Sequence, residues 1–313
     1  MAGNIKEIND TGLSSRYQTK TQRLIKRDGS FNVRKTGIGK FESFNLYHFL
    51  VNISWTRFLF LALVVYVLIN SFFSVLYFLD GPENLGVEAG KGYINGFLNA
   101  FFFSAQTLTT VGFGRINPHD NWTNIVATLE AGIGLMAFAI ATGLLYGRFS
   151  RPVTNIKFSS NAIFTDWGEN GKALQFRVAN SYSTEMIDAE VQVIVSWLEK
   201  DNRGTDVRKF YNLNLEYKKI VFFPTVWTVN HIIDEISPLY GKTDEDLTAG
   251  EAEFLILFKA YDDTFAQTVN ARFSYRHNDL LWGVKFKRAI FIDEKGKSFV
   301  ALDKMSDVEK AVT

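Results

Sequence analysis

The chain contains no cysteine. Disulfides, thiolate-held metals and cysteine nucleophiles are excluded, and the absence fits a soluble part that faces the cytosol. Metal-ligand spacing is missing too, because the four histidines, His48, His119, His231 and His277, stand singly. No serine lies in a Gly-x-Ser-x-Gly elbow, and neither a phosphate loop nor a dinucleotide fingerprint occurs. The sequence therefore offers no enzyme chemistry, and no cofactor is expected. Its basic clusters lack the folds and aromatic interleaving of nucleic-acid binders, so nucleic acid is not an expected partner. The first 40 residues also lack an apolar core able to serve as a signal peptide, which leaves insertion to the first membrane helix.

A dominant charge is absent as well: the 313 residues carry a net +1. That balance conceals two unlike halves. Residues 41–150 hold long apolar runs and many of the 29 phenylalanines, whereas residues 151–313 alternate polar and apolar positions like a soluble β domain. Residues 1–40 form a polar, basic cytoplasmic segment with Lys20, Arg23, Lys26, Arg27, Arg34 and Lys35, much of it readable as a solvated tail. Within it, the Asp28-Gly29 turn and the run up to Val33 predict ordered backbone able to pair with a strand elsewhere. In residues 41–54, Glu42, Asn45, His48 and Asn52 recur every three or four positions opposite a broad apolar face. This predicts an amphipathic helix along the membrane interface, with His48 a polar interfacial residue rather than a metal ligand.

Phe58 to Leu79 is charge-free and, as a helix, covers roughly 33 Å, enough for the hydrocarbon core. Asp80 to Tyr93 then reads as an external turret. A second span, Ile125 to Gly147, is broken only by Glu130 and by small residues that let helices approach or bend. Glu130 is the single acid in either span, so it is expected to be paired or protonated near the pore rather than facing lipid. Gly134, Phe138, Thr142 and Tyr146 fall four apart, near one face. They would line a multi-subunit pore, with lipid-facing scatter as the other reading.

Between the spans, Phe97 to Leu108 is apolar but too short to cross a bilayer. It runs directly into Thr109-Thr110-Val111-Gly112-Phe113-Gly114. Taken alone, that string could be a glycine-rich turn beside a strand. Flanked by two spans, it has the layout of a re-entrant pore loop. Held extended, with glycines free to adopt backbone angles closed to other residues, it can aim successive carbonyls one way and replace the water around a bare cation. Residues 55–150 are accordingly expected to form the pore domain.

Residues 151–313 show strand-like runs at Leu174–Ala179, Asp188–Trp197, Phe222–Val229, Glu253–Lys259, Thr268–Phe273 and Leu281–Phe286, with Val284 to Ile292 perceived as a continuation of the last. Short strands between polar turns, with no comparable helix, predict a β-sandwich. Asp234, Glu235, Asp244, Glu245 and Asp246 read as solvated loop charges, or as acids lining an ion path.

Several stretches together carry a wider likeness. They are Lys26 to Val33; the string at Thr109; Phe158-Ser159-Ser160-Asn161-Ala162 leading to Phe176-Arg177-Val178-Ala179-Asn180; Ile233 to Tyr240; and Ala271 to Tyr275 with Leu281-Trp282-Gly283. From about Lys26 to Phe286 the chain resembles the inward-rectifier potassium channels, in their prokaryotic branch. The resemblance implies a homotetramer whose potassium ions sit on carbonyls of a filter at Thr110, Val111, Gly112, Phe113 and Gly114. It also implies a gate near Tyr146 and an immunoglobulin-like cytoplasmic vestibule, with a constriction at Thr264, Phe265, Ala266 and Gln267. Gly134 is similar in position to the family's hinge. Phe138 falls where strongly rectifying members carry an acid, so block by polyamines or Mg2+ is expected to be weak. Phe113 stands where most relatives have tyrosine, which removes a hydroxyl that would tether the filter.

Positive residues flanking the spans predict both termini in the cytosol of a bacterial inner membrane. Arg57, Arg148, Arg151 and Lys157 are expected to gather at that interface and attract anionic phospholipid headgroups. The rival reading is a membrane-anchored ligand sensor without conduction. Such an anchor has no use for a re-entrant segment ending in this string.

Overall fold

The computed structural model describes residues 23–33, 37, 45–86, 93–150, 155–168, 171–182 and 184–311. They separate into a helical unit, Thr36–Arg151, and a β unit that joins Pro152–Thr313 to the amino-terminal residues up to Lys35.

In the helical unit, α1 (Leu46–Asn52) starts where the Asn45 side chain accepts a hydrogen bond from the His48 amide, an N-cap that satisfies an orphan donor. The helix is shorter than the expected residues 41–54, of which 41–44 lie outside the described residues. Two helices, α2 (Trp55–Asp80) and α4 (Asn121–Phe149), are long and apolar enough to cross a membrane. Both overrun the apolar stretches that announced them. Hydropathy marks the hydrocarbon thickness, whereas a helix continues until it is capped, as Asp120 caps α4 by accepting from the Trp122 and Thr123 amides. Between them, α3 (Tyr93–Leu108) has 16 residues, or about 24 Å, too little to span.

Where an external turret was expected, residues 82–85 form a 3-10 turn that drives Leu85 into the cluster of Phe73, Tyr77, Ala100, Phe103 and Val126. Residues 87–92 of that loop lie outside the described residues.

The β unit is a sandwich. In one sheet β3 (Gly171–Asn180) is central. It pairs along one edge with β1 (Ile156–Phe158) and β2 (Ala162–Trp167), and along the other with β7 (Val226–Ile233); β10 (Leu280–Trp282) adds to β2 in parallel. In the other sheet β4 (Met186–Lys200) is central. It is flanked on one side by β5 (Asp206–Asn212) and β6 (Lys219–Phe222) and on the other by β8 (Glu253–Asp262), which pairs with β9 (Gln267–Arg276). Period-two alternation sends Val191, Val193 and Val195 of β4 and Phe254, Ile256 and Phe258 of β8 against Leu174, Phe176 and Val178 of β3, forming one core.

Three expectations need correction. The single strand expected at Phe222–Val229 is two, because Pro224 has no amide to give a ladder and the chain restarts at β7. The extension from Val284 to Ile292 is likewise broken into β11 (Val284–Phe286) and β12 (Ile290–Ile292), which pair with β14 (Val308–Lys310) and β13 (Ser298–Val300) respectively. Asp244, Glu245 and Asp246 are not loop charges. They are the first turn of a short helix, α5 (Asp244–Ala249), where Thr243 and Asp246 form a capping box and the acids face the positive end of the helix dipole.

Among the described residues the amino-terminal turn bridges Ile25 to Phe31 across Gly29, whose φ is +79°. Leu24 and Ile25 cover Phe210 and Leu255 on the outer face of the second sheet. The buried Glu253 carboxylate accepts from the amides of Leu24 and Ile25, and Arg23 and Arg27 both pair with Asp279. His231 is buried, with Nδ1 2.7 Å from the Asn214 carbonyl and Nε2 2.7 Å from Ser237 Oγ. Burial holds its pKa below the usual histidine value, so the ring serves as a neutral tie between loops and not as a metal ligand.

Candidate ion pathway

The segment after α3 leaves the helix in an alternating backbone conformation. The helix closes at Leu108 through bonds from the Thr110 amide to the Thr107 carbonyl and from the Val111 amide to the Gln106 carbonyl. Beyond it, φ is positive at every second residue: +58° at Thr110, +53° at Gly112 and +76° at Gly114. Val111 and Phe113 are not among the positive-φ residues, so the backbone alternates in hand along the string. Glycine adopts such angles freely. Threonine does not, and a β-branched residue held there costs about 1–3 kcal/mol, which marks a site where geometry is imposed for a purpose. Residues 110–114 are exposed within the protomer, and Phe113 is 77 % exposed. No charged residue lies in the first or last turn of α3, so the negative end of its dipole at Leu108 stands uncompensated beside the string and favours a cation there.

Next to the end of α3, α2, α3 and α4 are joined by a polar network in which Asn70, Tyr77, Ser104 and Glu130 are all wholly buried. The Tyr77 hydroxyl donates to Glu130 Oε2 at 2.7 Å. Ser104 Oγ lies 2.5 Å from Glu130 Oε1 and 3.0 Å from Asn70 Oδ1, and Asn70 Nδ2 donates to the Tyr66 carbonyl at 2.7 Å. Glu130 was expected to be paired or protonated rather than facing lipid, and it is buried and hydrogen-bonded here. Its partners were missed. Their signal was the scatter of Asn70, Tyr77 and Ser104 within otherwise apolar runs, since a polar side chain on a membrane helix needs a partner.

The four positions of the expected lining face divide. Phe138 and Tyr146 are 73 % and 74 % exposed, and Thr142 is exposed with its hydroxyl donating to the Phe138 carbonyl. Gly134, by contrast, is buried with its α-carbon against the backbone of Leu108. It is a seat for the end of α3 rather than an open lining position. One α4 turn separates Gly134 from Phe138, and that rotation and rise carry the chain from helix contact to open surface.

Of the four cations expected to meet at the interface, Arg57 and Arg148 are described in the helical unit. Arg148 donates from Nη1 to the Leu50 carbonyl at 2.5 Å and from Nη2 to the Ile53 carbonyl at 2.8 Å, and its guanidinium lies over Trp55 and Phe58 at 4.5 and 4.6 Å. It thereby satisfies orphan carbonyls at the end of α1 and clamps that helix to α2 and α4. Arg57 is exposed, Arg151 lies outside the described residues, and Lys157 belongs to the β unit, where it lines a groove with Arg27 and Arg272. Thr264, Phe265 and Ala266 form the tip of the β8–β9 hairpin and Gln267 opens β9; Ala266 has φ +50°, and the Phe265 amide donates to Asp262.

Comparisons with known proteins agree in register with these units. Residues 156–313 match the model of the inward rectifier potassium channel C-terminal domain, and residues 53–151 match an ion channel model. The inward rectifier potassium channel Kirbac3.1 of Paramagnetospirillum magnetotacticum is 34 % identical over 287 residues, covering 91 % of this chain and 95 % of its own. Inward rectifier potassium channel 4 of Homo sapiens is 27 % identical over 212 residues, covering 64 % of this chain and 46 % of its own.

Proposed function

This chain belongs to the inward-rectifier potassium channel family and is a transmembrane potassium channel, not an enzyme; from that premise we propose how its own residues conduct and gate. Four copies close around a common axis, and the carbonyls of Thr110, Val111, Gly112, Phe113 and Gly114 coordinate dehydrated potassium. The observation that carries this reading is the alternating positive φ at residues 110, 112 and 114. Leu135, Met136, Phe138 and Ile140 are exposed apolar residues on α4 of a single protomer, an arrangement that calls for lipid or neighbouring copies around it. The channel sits in a bacterial inner membrane with both termini in the cytosol. With Phe138 where an acid would hold polyamines or Mg2+, rectification is weak. A membrane-anchored sensor would have no need of the strained Thr110.

Rubidium uptake into potassium-loaded liposomes carrying the purified protein, with barium as blocker, tests the assignment. Barium-insensitive uptake that does not distinguish sodium would overturn it. In the same assay Tyr146→Ala is expected to raise basal uptake severalfold at matched protein amount, because four exposed Tyr146 rings at the end of α4 narrow the pore by bulk and dewetting. An unchanged rate would move the constriction to residues 264–267.

Anionic headgroups at the cytosolic surface bias the gate. Each cation near such a surface contributes about 1 kcal/mol, comparable with the few kcal/mol that separate open from closed states. Arg148 is unsuitable for testing this, since its removal also releases the α1 clamp. Phosphoinositide in the liposomes is expected to lower uptake, and Arg57→Gln combined with Arg151→Gln to blunt that response. A wild-type response in the double variant would exclude these two cations from the lipid site.

A further inference from the structure

We propose that Glu130 is a neutral carboxylic acid whose proton, donated to Ser104, positions the pore helix and through it the filter. The argument is a count of hydrogens. Four contacts make up the buried chain: Tyr77 Oη to Glu130 Oε2, Glu130 Oε1 to Ser104 Oγ, Ser104 Oγ to Asn70 Oδ1, and Asn70 Nδ2 to the Tyr66 carbonyl. The last contact fixes the orientation of the Asn70 amide, because reversing it would set two acceptor oxygens 2.7 Å apart. Asn70 Oδ1 therefore faces Ser104 as an acceptor, and the single hydroxyl hydrogen of Ser104 is committed to it. With Glu130 ionised, nothing remains to occupy the 2.5 Å contact between Ser104 Oγ and Glu130 Oε1.

A proton on Oε1 resolves the conflict. Glu130 donates to Ser104, Ser104 to Asn70, Asn70 to Tyr66, and Tyr77 to the remaining carboxyl oxygen, so every contact holds one hydrogen. The surroundings agree. Among the described residues, Tyr77 of α2 is the titratable group hydrogen-bonded to Glu130, while α3 presents Ser104 with Ala100 and Phe103 nearby. Among the described residues no lysine, arginine or histidine forms an ion pair with Glu130, and an ionised carboxylate buried without one is strongly disfavoured.

The consequence for conduction follows from where the proton points. Ser104 lies on the last turns of α3, four residues before Leu108 and six before Thr110. With Glu130 ionised, Ser104 would have one hydrogen for two acceptors, Asn70 Oδ1 and Glu130 Oε1, and the contact left without it would become an oxygen–oxygen repulsion that loosens the helix delivering the filter. Phe113 lacks the hydroxyl through which a tyrosine would add its own tether.

This inference rests on the filter reading, and two readouts separate their failures. Difference infrared spectra between H2O and D2O at neutral pH are expected to show the carbonyl stretch of a protonated carboxylic acid, and Glu130→Gln to remove it. In liposomes Glu130→Gln, whose amide donates to Ser104 and accepts from Tyr77, is expected to keep uptake and potassium selectivity within about twofold. Glu130→Asp, which withdraws the carboxyl by one methylene, and Ser104→Ala are expected to lose at least about tenfold. Absence of the infrared band, or a Glu130→Gln channel as defective as Glu130→Asp, would overturn the proton. The band together with unselective uptake would instead fault the filter assignment.

Discussion

Gly134→Ala is expected to silence the channel, with rubidium uptake falling by more than about tenfold and the thermal midpoint of the folded protein dropping. A Cβ added at this position would lie 2.1 Å from the Leu108 carbonyl oxygen, 2.9 Å from its carbon and 3.1 Å from its α-carbon. All three are backbone atoms, so no side chain can rotate aside. Either α4 moves outward by on the order of 1 Å or the last turn of α3 unwinds, since carbon and oxygen do not approach so closely. Overpacking typically costs about 1–3 kcal/mol, and a backbone clash belongs at the upper end. The damage falls on function because Leu108 is the final residue of α3 and leads through Thr109 into Thr110.

Gly132 and Gly143 of the same helix provide the control. A Cβ there meets nothing within 4 Å, so alanine at either position should be neutral or stabilise α4 by up to about 1 kcal/mol. If Gly134 mattered for helix flexibility, all three substitutions would stiffen α4 alike. Equal effects from the three would favour a hinge over a seat.

Gly134 also shows what periodicity can and cannot reveal. The spacing of Gly134, Phe138, Thr142 and Tyr146 correctly put them near one face, but a face of a long helix is not one environment. It passes under α3 at Gly134 and emerges into the open by Phe138. The two spans, the short α3 and the backbone freedom of the glycine string after it were legible because each rests on local quantities: run length, missing charge and the placement of glycine. Strands β2 and β5 were not. The first four residues of β2 are all buried, so it lacks alternation, and β5 carries Asp206, Arg208 and Lys209 through a strand whose Arg208 is nevertheless buried against Ser196 and Glu251. Ion pairs formed between distant segments leave no periodic trace. The clamp by Arg148 was hidden for the same reason: a cation beside a membrane helix reads as a topology signal, whereas its bonds to Leu50 and Ile53 span nearly a hundred residues of sequence. Glu130 was legible as an exception, and its partners became visible only once α2 and α3 were placed against it.

Gly112→Ala is expected to destroy selectivity by a different route from Gly134→Ala. Nothing lies within 4 Å of a Cβ at Gly112 in the protomer, so packing there is not the obstacle. The obstacle is the φ of +53°, at which an L-residue costs roughly 1–2 kcal/mol. Rotating the peptide into an ordinary conformation removes that strain and turns its carbonyl away from the ion path. Repeated in four proposed subunits, the bias reaches on the order of 4–8 kcal/mol, more than the few kcal/mol that usually separate conformers. The variant should therefore assemble and elute like wild type, yet lose barium block and discrimination between potassium and sodium. A semisynthetic channel with D-alanine at position 112 supplies the decisive comparison, because a D-residue prefers positive φ while adding the same methyl group. Recovery of selective uptake by the D-residue would assign the loss to backbone hand alone. A selective, barium-sensitive channel with L-alanine at 112 would remove Gly112 from the filter.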